Sequence, residues 1–341
     1  MENGKKYPKS QVPVIILCIL LVILAAVGGV AAGRLSGQKL LEEDVLVTVG
    51  KAGDYETLGQ ALEKLADLSP VYRREGVKCE IQIKAGTTIR EQITVKNADL
   101  RFITITSEDE MVPVDSRGWD EHGLNYHDLR GDVAFLGGED GAGLPTIGTI
   151  FHLVNEGERG TVGYFVNRDS QGILLPGCGF DGFYDGCIAN NGSELVMQEG
   201  ISREMTRWGV YARHGSEIFA RNAVLEHCGL SVCADLMADV DVSSAVLSSS
   251  SRAILCSNLS RVNGSEAKIY YCTSGKDYIV QAESGGAVNC CKADVQYGHT
   301  DVFGVLEGGT IYTTEAKVLA RESKAYSQEP DIQTPDGMIY K

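Results

Sequence analysis

Asn-Gly-Ser-Glu-Leu at residues 191–195 returns as His-Gly-Ser-Glu-Ile at residues 214–218, 23 residues later in the chain. A third copy, Asn-Gly-Ser-Glu-Ala, stands at 263–267, and a degenerate unit, Ala-Asp-Val-Asp-Val, fits between them at 238–242. Looser copies surround residues 286–288 and 309–311. A short period with a Gly-marked corner and a few β-prone residues per unit indicates a solenoid, in which each unit buries its apolar face against its neighbours.

The composition predicts that the repeats are β-strands and not helices. The chain of 341 residues contains 40 Gly and only 8 Pro, with many Val, Ile, Ser and Thr, which favours short strands joined by tight corners. Within each unit we expect Gly to form the corner. The residue after Glu, Leu195 or Ile218, then faces the core, and the Glu side chain lies mainly in solvent.

The charge of the chain excludes one class of function. Its formal net charge is −15, and the first 40 residues are basic, so the remainder is more acidic still. Binding to nucleic acid through its phosphates needs clustered Lys and Arg. The acidic body therefore argues against nucleic acid as a partner.

The strongest local signal is an apolar segment near the N-terminus. Residues 12–32 carry no formal charge, and as a helix they would span roughly 31 Å, about the hydrocarbon core of a bilayer. Three Lys precede the segment and the acidic body follows it, which favours a cytoplasmic N-terminus. We expect a membrane anchor. The alternative is a signal peptide cleaved near Gly33, which would release a secreted protein.

These signals divide the chain into five predicted parts, with membrane lipid contacted through residues 12–33. The parts are a cytoplasmic N-terminus (1–11), a transmembrane helix (12–33), a linker (34–44), an extracytoplasmic β-helix domain (45–320) and a C-terminal tail (321–341). A helix is predicted from the spacing of Leu58, Ala61, Leu62, Leu65 and Leu68, with its start at Asp54. Strands are predicted at 45–49, 80–83, 92–95 and 101–106.

Two segments carry a resemblance to a known family. Val-Thr-Val-Gly at 47–50 leads into Asp-Tyr-Glu-Thr-Leu at 54–58, and Ile-Lys-Ala-Gly-Thr-Thr-Ile-Arg-Glu-Gln-Ile follows at 83–93. Over about residues 45–110 the chain resembles the pectin lyase-like superfamily, and it is similar there to pectinesterases and phage tail-spike proteins. The resemblance implies an all-β fold, a right-handed single-stranded parallel β-helix whose early helix caps the open end of the coil. Unrelated activities share this architecture, so the resemblance predicts the fold better than the function.

The motifs of those enzymes indicate one candidate catalytic carboxylate, and the repeat indicates two more. Phe-Asp-Gly-Phe at 180–183 loosely resembles the pectinesterase segment around one catalytic Asp, which makes Asp181 a weak candidate, but the partner Gln and Arg motifs are absent. Glu194 and Glu217 fall on adjacent turns about 4.8 Å apart, close to the spacing of a retaining glycosidase pair. Every stacked pair in a parallel coil has this spacing, so the prevailing interpretation is a solvated surface pair. The local sequence predicts no calcium cluster, no zinc site and no cofactor.

Residues 107–149 interrupt the rhythm and are predicted to form a long lateral excursion. Trp119, His122, Tyr126 and His127 lie within it, and aromatic faces of this kind can stack on sugar rings. A loop packed on itself is the default alternative. We take these four residues as candidate ligand-binding residues.

The cysteines admit two interpretations. Cys233 and Cys256 are 23 residues apart, so stacking on neighbouring turns would bring their Cα atoms within reach of a disulfide. Nine cysteines outside the apolar segment form no complete set of pairs, which favours buried free thiols. Cys290 and Cys291 are expected to point to opposite faces.

Taken together, the sequence predicts a membrane-anchored surface module that binds glycan or serves a structural role. One alternative is a polysaccharide-active esterase, lyase or hydrolase with divergent catalytic residues. Another is a prophage-derived tail-spike-like protein, for which the family implies a homotrimer. Turnover of a bound glycan would separate the enzyme from the binding module.

Overall fold

The structure is a computed structural model, and it describes residues 39–70, 76–119, 133–155, 160–273, 277–296, 300–320 and 323–341. Within these ranges the chain is all-β apart from one α-helix, α1 (Leu58–Leu65). Three long sheets are stacked from parallel strands, and their inner faces enclose one continuous core. This arrangement is consistent with a parallel β-helix, as the repeat predicts.

Each long sheet takes one strand from each turn of the coil. Sheet 1 consists of β5 (Ile93–Lys96), β8 (Val133–Glu139), β11 (Thr161–Asn167), β14 (Asp185–Asn190), β17 (Trp208–Arg213), β20 (Leu230–Asp235), β23 (Arg252–Cys256), β26 (Val280–Glu283) and β29 (Phe303–Leu306). Sheet 2 consists of β7 (Met111–Asp115), β10 (Ile150–Asn155), β13 (Gly179–Asp181), β16 (Ile201–Arg203), β19 (Val224–Glu226), β22 (Val246–Ser248), β25 (Lys268–Tyr270), β28 (Asp294–Gln296) and β31 (Lys317–Leu319). Sheet 3 consists of β12 (Gln171–Ile173), β15 (Glu194–Val196), β18 (Glu217–Phe219), β21 (Asp239–Asp241), β24 (Arg261–Asn263), β27 (Ala287–Asn289), β30 (Gly309–Tyr312) and β32 (Gly337–Tyr340).

Two smaller sheets complete the N-terminal end of the coil. One consists of β2 (Val45–Val49), β4 (Cys79–Ile83), β6 (Ile103–Ser107) and β9 (Thr146–Ile147). The other pairs β1 (Lys39–Leu41) with β3 (Leu68–Pro70), so the predicted linker contains a short strand.

The core-facing position of sheet 3 shows how the repeat sets the register. Leu195 pairs with Ile218, and Ile218 pairs with Val240 on the next strand. All three are at most 3% exposed, while Glu217 beside them is exposed. The prediction that the residue after each Glu faces the core is therefore confirmed.

Two copies of the repeat lie out of phase with the others, and in the unit at 238–242 it is Asp239, not Asp241, that pairs with Glu217. Residues 263–267 match the motif, but they form the corner between β24 and β25, whereas residues 191–193 and 214–216 form the corner that leads into sheet 3. The true equivalent of Glu217 two turns later is Arg261, which pairs with Asp239. The alignment of 263–267 with the motif was wrong because Gly, Asn and Ser suit more than one corner of the coil.

The serine of the motif has a structural role. Ser193 Oγ accepts a hydrogen bond from the backbone N–H of Ser170, and Ser216 Oγ accepts one from Ser193 N–H, both at 3.1 Å. Ser260 Oγ accepts from Ala238 N–H in the same way. These buried serines form a ladder that satisfies backbone donors between successive turns.

The three corners of the coil differ in length. The corner from sheet 1 to sheet 3 takes two to four residues and the corner from sheet 3 to sheet 2 takes four or five. The corner from sheet 2 to sheet 1 ranges from three residues at 182–184 to 17 residues at 116–132. Variation in loop length is therefore concentrated along one edge of the molecule.

The helix α1 packs at the N-terminal end. Its Leu58, Ala61, Leu62 and Leu65 are buried in the core, as the spacing predicts. The N-cap of the helix is Thr57, three residues after Asp54, where the sequence predicted the start. Asp54 instead accepts hydrogen bonds from Thr48. Leu68 belongs to β3.

The C-terminal end of the coil is also covered. The predicted tail contributes β32, which pairs with β30 and extends sheet 3 by one strand. The preceding loop lies along that strand: Asp331 N–H donates to Ile339 O at 2.8 Å, and Gln328 Nε2 donates to Gly337 O at 3.1 Å. The loop thereby occupies backbone groups at the end of the sheet.

The predicted excursion at 107–149 is shorter than expected. It contains β7, β8 and β9, and the longest stretch between its strands is 116–132. Gly137 and Gly138, which suggested a loop, are in β8, where a Cβ on Gly138 would lie 3.0 Å from Leu144 Cγ. Glycine is used here for close packing and not for a turn.

The predicted membrane segment lies outside the described residues. Among the residues that are described, no helix is both long enough and apolar enough to cross a bilayer.

The described cysteines are all free thiols, and seven of the nine are buried. Cys233 pairs in register with Leu255, and Cys256 pairs with Ala234. Cys233 belongs to a small cluster on the outer face of sheet 1, whereas Cys256 faces the main core. The disulfide considered between them does not form, because strand alternation sends the two side chains to opposite faces.

Candidate functional site

The outer face of sheet 3 carries two columns of side chains. In the first column, Gln171, Glu194, Glu217, Asp239 and Arg261 pair in register along successive strands. Neighbouring members are about 4.8 Å apart at Cα, because each comes from the next turn of the coil. This column places carboxylates directly beside a guanidinium.

A shallow groove of about 210 Å3 opens on this face. Its polar lining includes Glu217, Asp239 and Arg261 from the first column, all of them exposed. The second column consists of Val196, Phe219, Asp241 and Asn263, which pair in register. From this column the half-buried ring of Phe219 and the side chain of Asn263 line the groove. The groove therefore combines hydrogen-bond acceptors, donors and an aromatic ring in a small space; we call it the sheet 3 groove.

Part of the lining is already committed to internal hydrogen bonds. Asp241 accepts from Arg221 Nε at 2.6 Å, from Ser243 N–H at 3.1 Å and from Asn263 Nδ2 at 3.0 Å. Partial burial raises the pKa of Asp241, but the hydrogen bonds from Arg221 and Ser243 outweigh it and hold the pKa below its usual value. Asp241 is therefore an ionised structural group that orders the second column.

The two repeated glutamates occupy the predicted positions on adjacent strands. Glu194 pairs with Glu217 in register, and both side chains lie on the outer face. Glu194 is half-buried and does not line the groove, whereas Glu217 does. Their stacking alone does not distinguish a catalytic pair from any other stacked pair, so chemistry at this face depends on the neighbours Asp239 and Arg261.

Asp181 lies on a different face, the outer side of sheet 2. Its carboxylate is 3.3 Å from Arg203 Nε, and its Oδ2 lies 3.2 Å from His152 Nδ1 without forming a hydrogen bond of normal angle. His152, Asp181 and Arg203 occupy equivalent positions on three successive strands. Asp181 is thus a charge paired with two neighbouring side chains at the end of β13.

The predicted aromatic loop residues are only partly within the described structure. Trp119 packs on the core, with its ring centroid 6.1 Å from that of Phe135, and its Nε1 donates to Arg90 O at 3.0 Å. Its ring is engaged within the protein. His122, Tyr126 and His127 lie outside the described residues.

Sequence reasoning missed most of the sheet 3 groove, including Phe219, Asp239 and Arg261. Phe219 could have been found, because it stands two residues after Glu217 and so shares its face of the strand. Asp239 and Arg261 required the correct phase of the repeat. The misplaced copy at 263–267 concealed Arg261.

A second cluster was also missed, on the outer face of sheet 1. The Arg207 guanidinium lies 3.7 Å above the ring of Trp208 and 4.7 Å from the ring of Tyr184. Arg207 also pairs with the fully buried carboxylate of Asp185, its Nε donating at 2.9 Å. The rings of Trp208 and Tyr184 position the Arg207 guanidinium, which neutralises the buried Asp185 carboxylate.

The described part of the chain contains no group of three or more His, Cys, Asp or Glu side chains placed to hold a metal ion.

Comparison with known proteins adds no family to this description. No protein-family model matches the chain, and a search of curated proteins also finds no match.

Proposed function

We propose that the protein is a surface-displayed glycan-binding module, built on a right-handed parallel β-helix of the pectin lyase-like type and anchored by residues 12–33 with the coil outside the cytoplasm. The observation that carries the proposal is the sheet 3 groove. The membrane placement rests on the apolar segment and its flanking charges alone.

The groove has the chemistry that sugar rings require. Glu217 and Asp239 accept hydrogen bonds from hydroxyl groups, and Arg261 donates them. The ring of Phe219 offers an apolar surface for the C–H face of a sugar. At about 210 Å3 the groove is smaller than the roughly 300–1,000 Å3 of sites that enclose drug-sized ligands, so it suits one or two sugar units of a longer chain.

A neutral or basic glycan is the expected ligand. Two of the three exposed charges in the groove are negative, and the whole chain carries −15. An acidic polysaccharide would meet unfavourable charge at Glu217 and Asp239.

A glycan array with the full-length chain tests the proposal, followed by affinity measurements on variants. Glu217→Gln and Arg261→Met should each weaken binding by about 10-fold or more, because a hydrogen bond to a charged group contributes about 1.5–3 kcal/mol. Glu194→Gln, outside the groove, should have a smaller effect. Lys268→Met is the matched control, since Lys268 is an exposed cation on the adjoining strand of sheet 2.

The outcomes separate the alternatives. Unchanged affinity in Glu217→Gln and Arg261→Met would reject the sheet 3 groove, and absence of binding to any glycan would favour a purely structural role. Release of new reducing ends or unsaturated products would favour the polysaccharide-active enzyme.

A further inference from the structure

The outer face of sheet 2 carries a second ordered pattern, separate from the sheet 3 groove. His152, Asp181, Arg203 and Glu226 occupy one column on four successive strands, β10, β13, β16 and β19. Their charges alternate in sign along the column when His152 is protonated. Asp181 pairs with both of its neighbours, at 3.2 and 3.3 Å.

A parallel column on the same face is apolar. Ile150, Gly179, Ile201, Val224 and Val246 follow one another in register on five strands. Met111 precedes them and is 37% exposed. The four aliphatic side chains are half-buried, so the stripe is partly accessible on five of its six strands and is interrupted by the buried Gly179 on β13.

We propose that this face, defined by the His152–Glu226 column and the Met111–Val246 stripe, is an isologous interface that joins two copies of the chain. A twofold axis parallel to the strands, passing between β13 and β16, reverses the order of the turns and places each column opposite itself. The charges then meet as complements: His152 faces Glu226 of the second copy, and Arg203 of the second copy lies over Asp181, which is 9% exposed and paired within its own chain. In a twofold interface every such contact occurs twice.

The apolar stripe is equally self-complementary under the same operation. Ile150 faces Val224 of the second copy, and Met111 faces its Val246. Six strands at about 4.8 Å make a face about 24 Å long. Because the turns run in opposite directions, the N-terminal ends of the two coils lie at opposite ends of the dimer.

The proposed contact between His152 of one copy and Glu226 of the other can be tested directly. Within one chain these residues are three strands apart, about 14 Å, which is too far for direct pairing. Charge exchange between them can therefore restore an attraction only across the interface.

Dimer dissociation constants of the full-length chain, measured by analytical ultracentrifugation, should rise at least about 10-fold for His152→Glu, which places two carboxylates opposite each other, and should also rise for Glu226→Arg, which removes the carboxylate opposite His152. The double variant should recover most of the lost dimer affinity, because Glu at 152 of one copy then faces Arg at 226 of the other. Val224→Lys should weaken the dimer through the stripe. Glu63→Arg, an equal charge change on an exposed position of α1, should leave it unchanged.

Thermal unfolding of each variant separates misfolding from loss of the interface. Each substitution places a like charge beside Asp181 or Arg203 within its own chain, and these local repulsions add up in the double variant. Recovery of dimer affinity in the double variant can therefore come only from the contact between chains. A monomeric or trimeric wild-type chain would overturn the proposal. A double variant whose loss of dimer affinity equals the combined losses of the two single variants would also overturn it.

Discussion

Arg207 and Arg221 show how burial decides what one ion pair is worth. Arg207 neutralises Asp185, whose side chain is 0% exposed, whereas Arg221 pairs with Asp241 while itself 56% exposed. A carboxylate left alone in the interior has lost its water without gaining a partner. An exposed pair loses little when it is broken.

Arg207→Met should therefore lower the free energy of unfolding by about 3 kcal/mol, the lower end of the range for breaking a buried pair, since Trp208 N–H still donates to Asp185. Arg221→Met is the matched control, with an expected loss of about 0–1 kcal/mol. Urea denaturation monitored by circular dichroism gives both values. Equal losses in the two variants would contradict the assignment of Asp185 as a buried charge.

Asp115 predicts how stability depends on pH. Hydrogen bonds from Arg117, with a further contribution from the charge of Arg90, lower the pKa of Asp115 well below its usual 3.8 although burial opposes them. A carboxylate with a depressed folded-state pKa stabilises the fold above its unfolded-state pKa and loses that contribution as the pH falls. The stabilisation should be complete at neutral pH and decline below about pH 4.

The urea midpoint should accordingly decrease between about pH 4 and pH 2, and Asp115→Asn should make that decrease less steep. Asp140→Asn provides the comparison, because Asp140 pairs with Arg168 at the surface. The same pH dependence in wild type and Asp115→Asn would remove Asp115 as a source of acid sensitivity.

At the scale of elements, the serine ladder explains why the motif that identifies the fold contains serine. Each hydroxyl replaces the backbone acceptor that a sheet would otherwise provide where the chain turns from sheet 1 to sheet 3. A buried N–H without an acceptor is costly. The ladder therefore keeps successive corners stacked.

Ser216→Ala should destabilise the fold by about 1–3 kcal/mol, because it removes the acceptor of Ser193 N–H in a site that is 0% exposed. Ser251→Ala, at an exposed corner, should change stability by less than about 0.5 kcal/mol. Hydrogen exchange should locate the effect at the Ser193 amide. Unchanged exchange there would show that the ladder bond contributes little.

The elements also show where sequence reasoning succeeds. Strand alternation and helical spacing predicted the inward positions of sheet 3 and the buried face of α1, because both depend on local periodicity. The phase of residues 263–267 and the strand at Gly137 were misassigned, because each depends on which side chains lie across the core or on the next turn. Of the sheet 3 groove only Glu217 was predicted as a site residue, for the same reason: Arg261 belongs to the groove through stacking alone.

At the scale of the molecule, both ends of the coil need covering. α1 packs at the N-terminal end, and the loop at 328–336 with β32 closes the end of sheet 3. A sheet edge with free N–H and C=O groups promotes pairing with other chains. The C-terminal segment is therefore a functional cap for solubility.

Truncation after Ala320 should expose β30 as the edge of sheet 3, lower the urea midpoint and cause aggregation. Light scattering after purification and denaturation curves would measure both effects. Removal of Lys341 alone is the control, since it leaves β32 in place. A monodisperse truncated chain with an unchanged midpoint would show that residues 321–341 are an independent tail.

The unequal corners have a consequence for how such a molecule can change. Two edges of the coil are held at nearly constant length, but the corners on the edge from sheet 2 to sheet 1 take between three and 17 residues while the strands stay paired, with a register shift in the β7–β10 pair beside the longest corner. New peptide could therefore be grafted along this edge, at corners that hold no buried ion pair, while the scaffold stays intact. Successive corners on this edge are one turn of the coil apart, so inserted peptides would be regularly spaced along one side of the molecule.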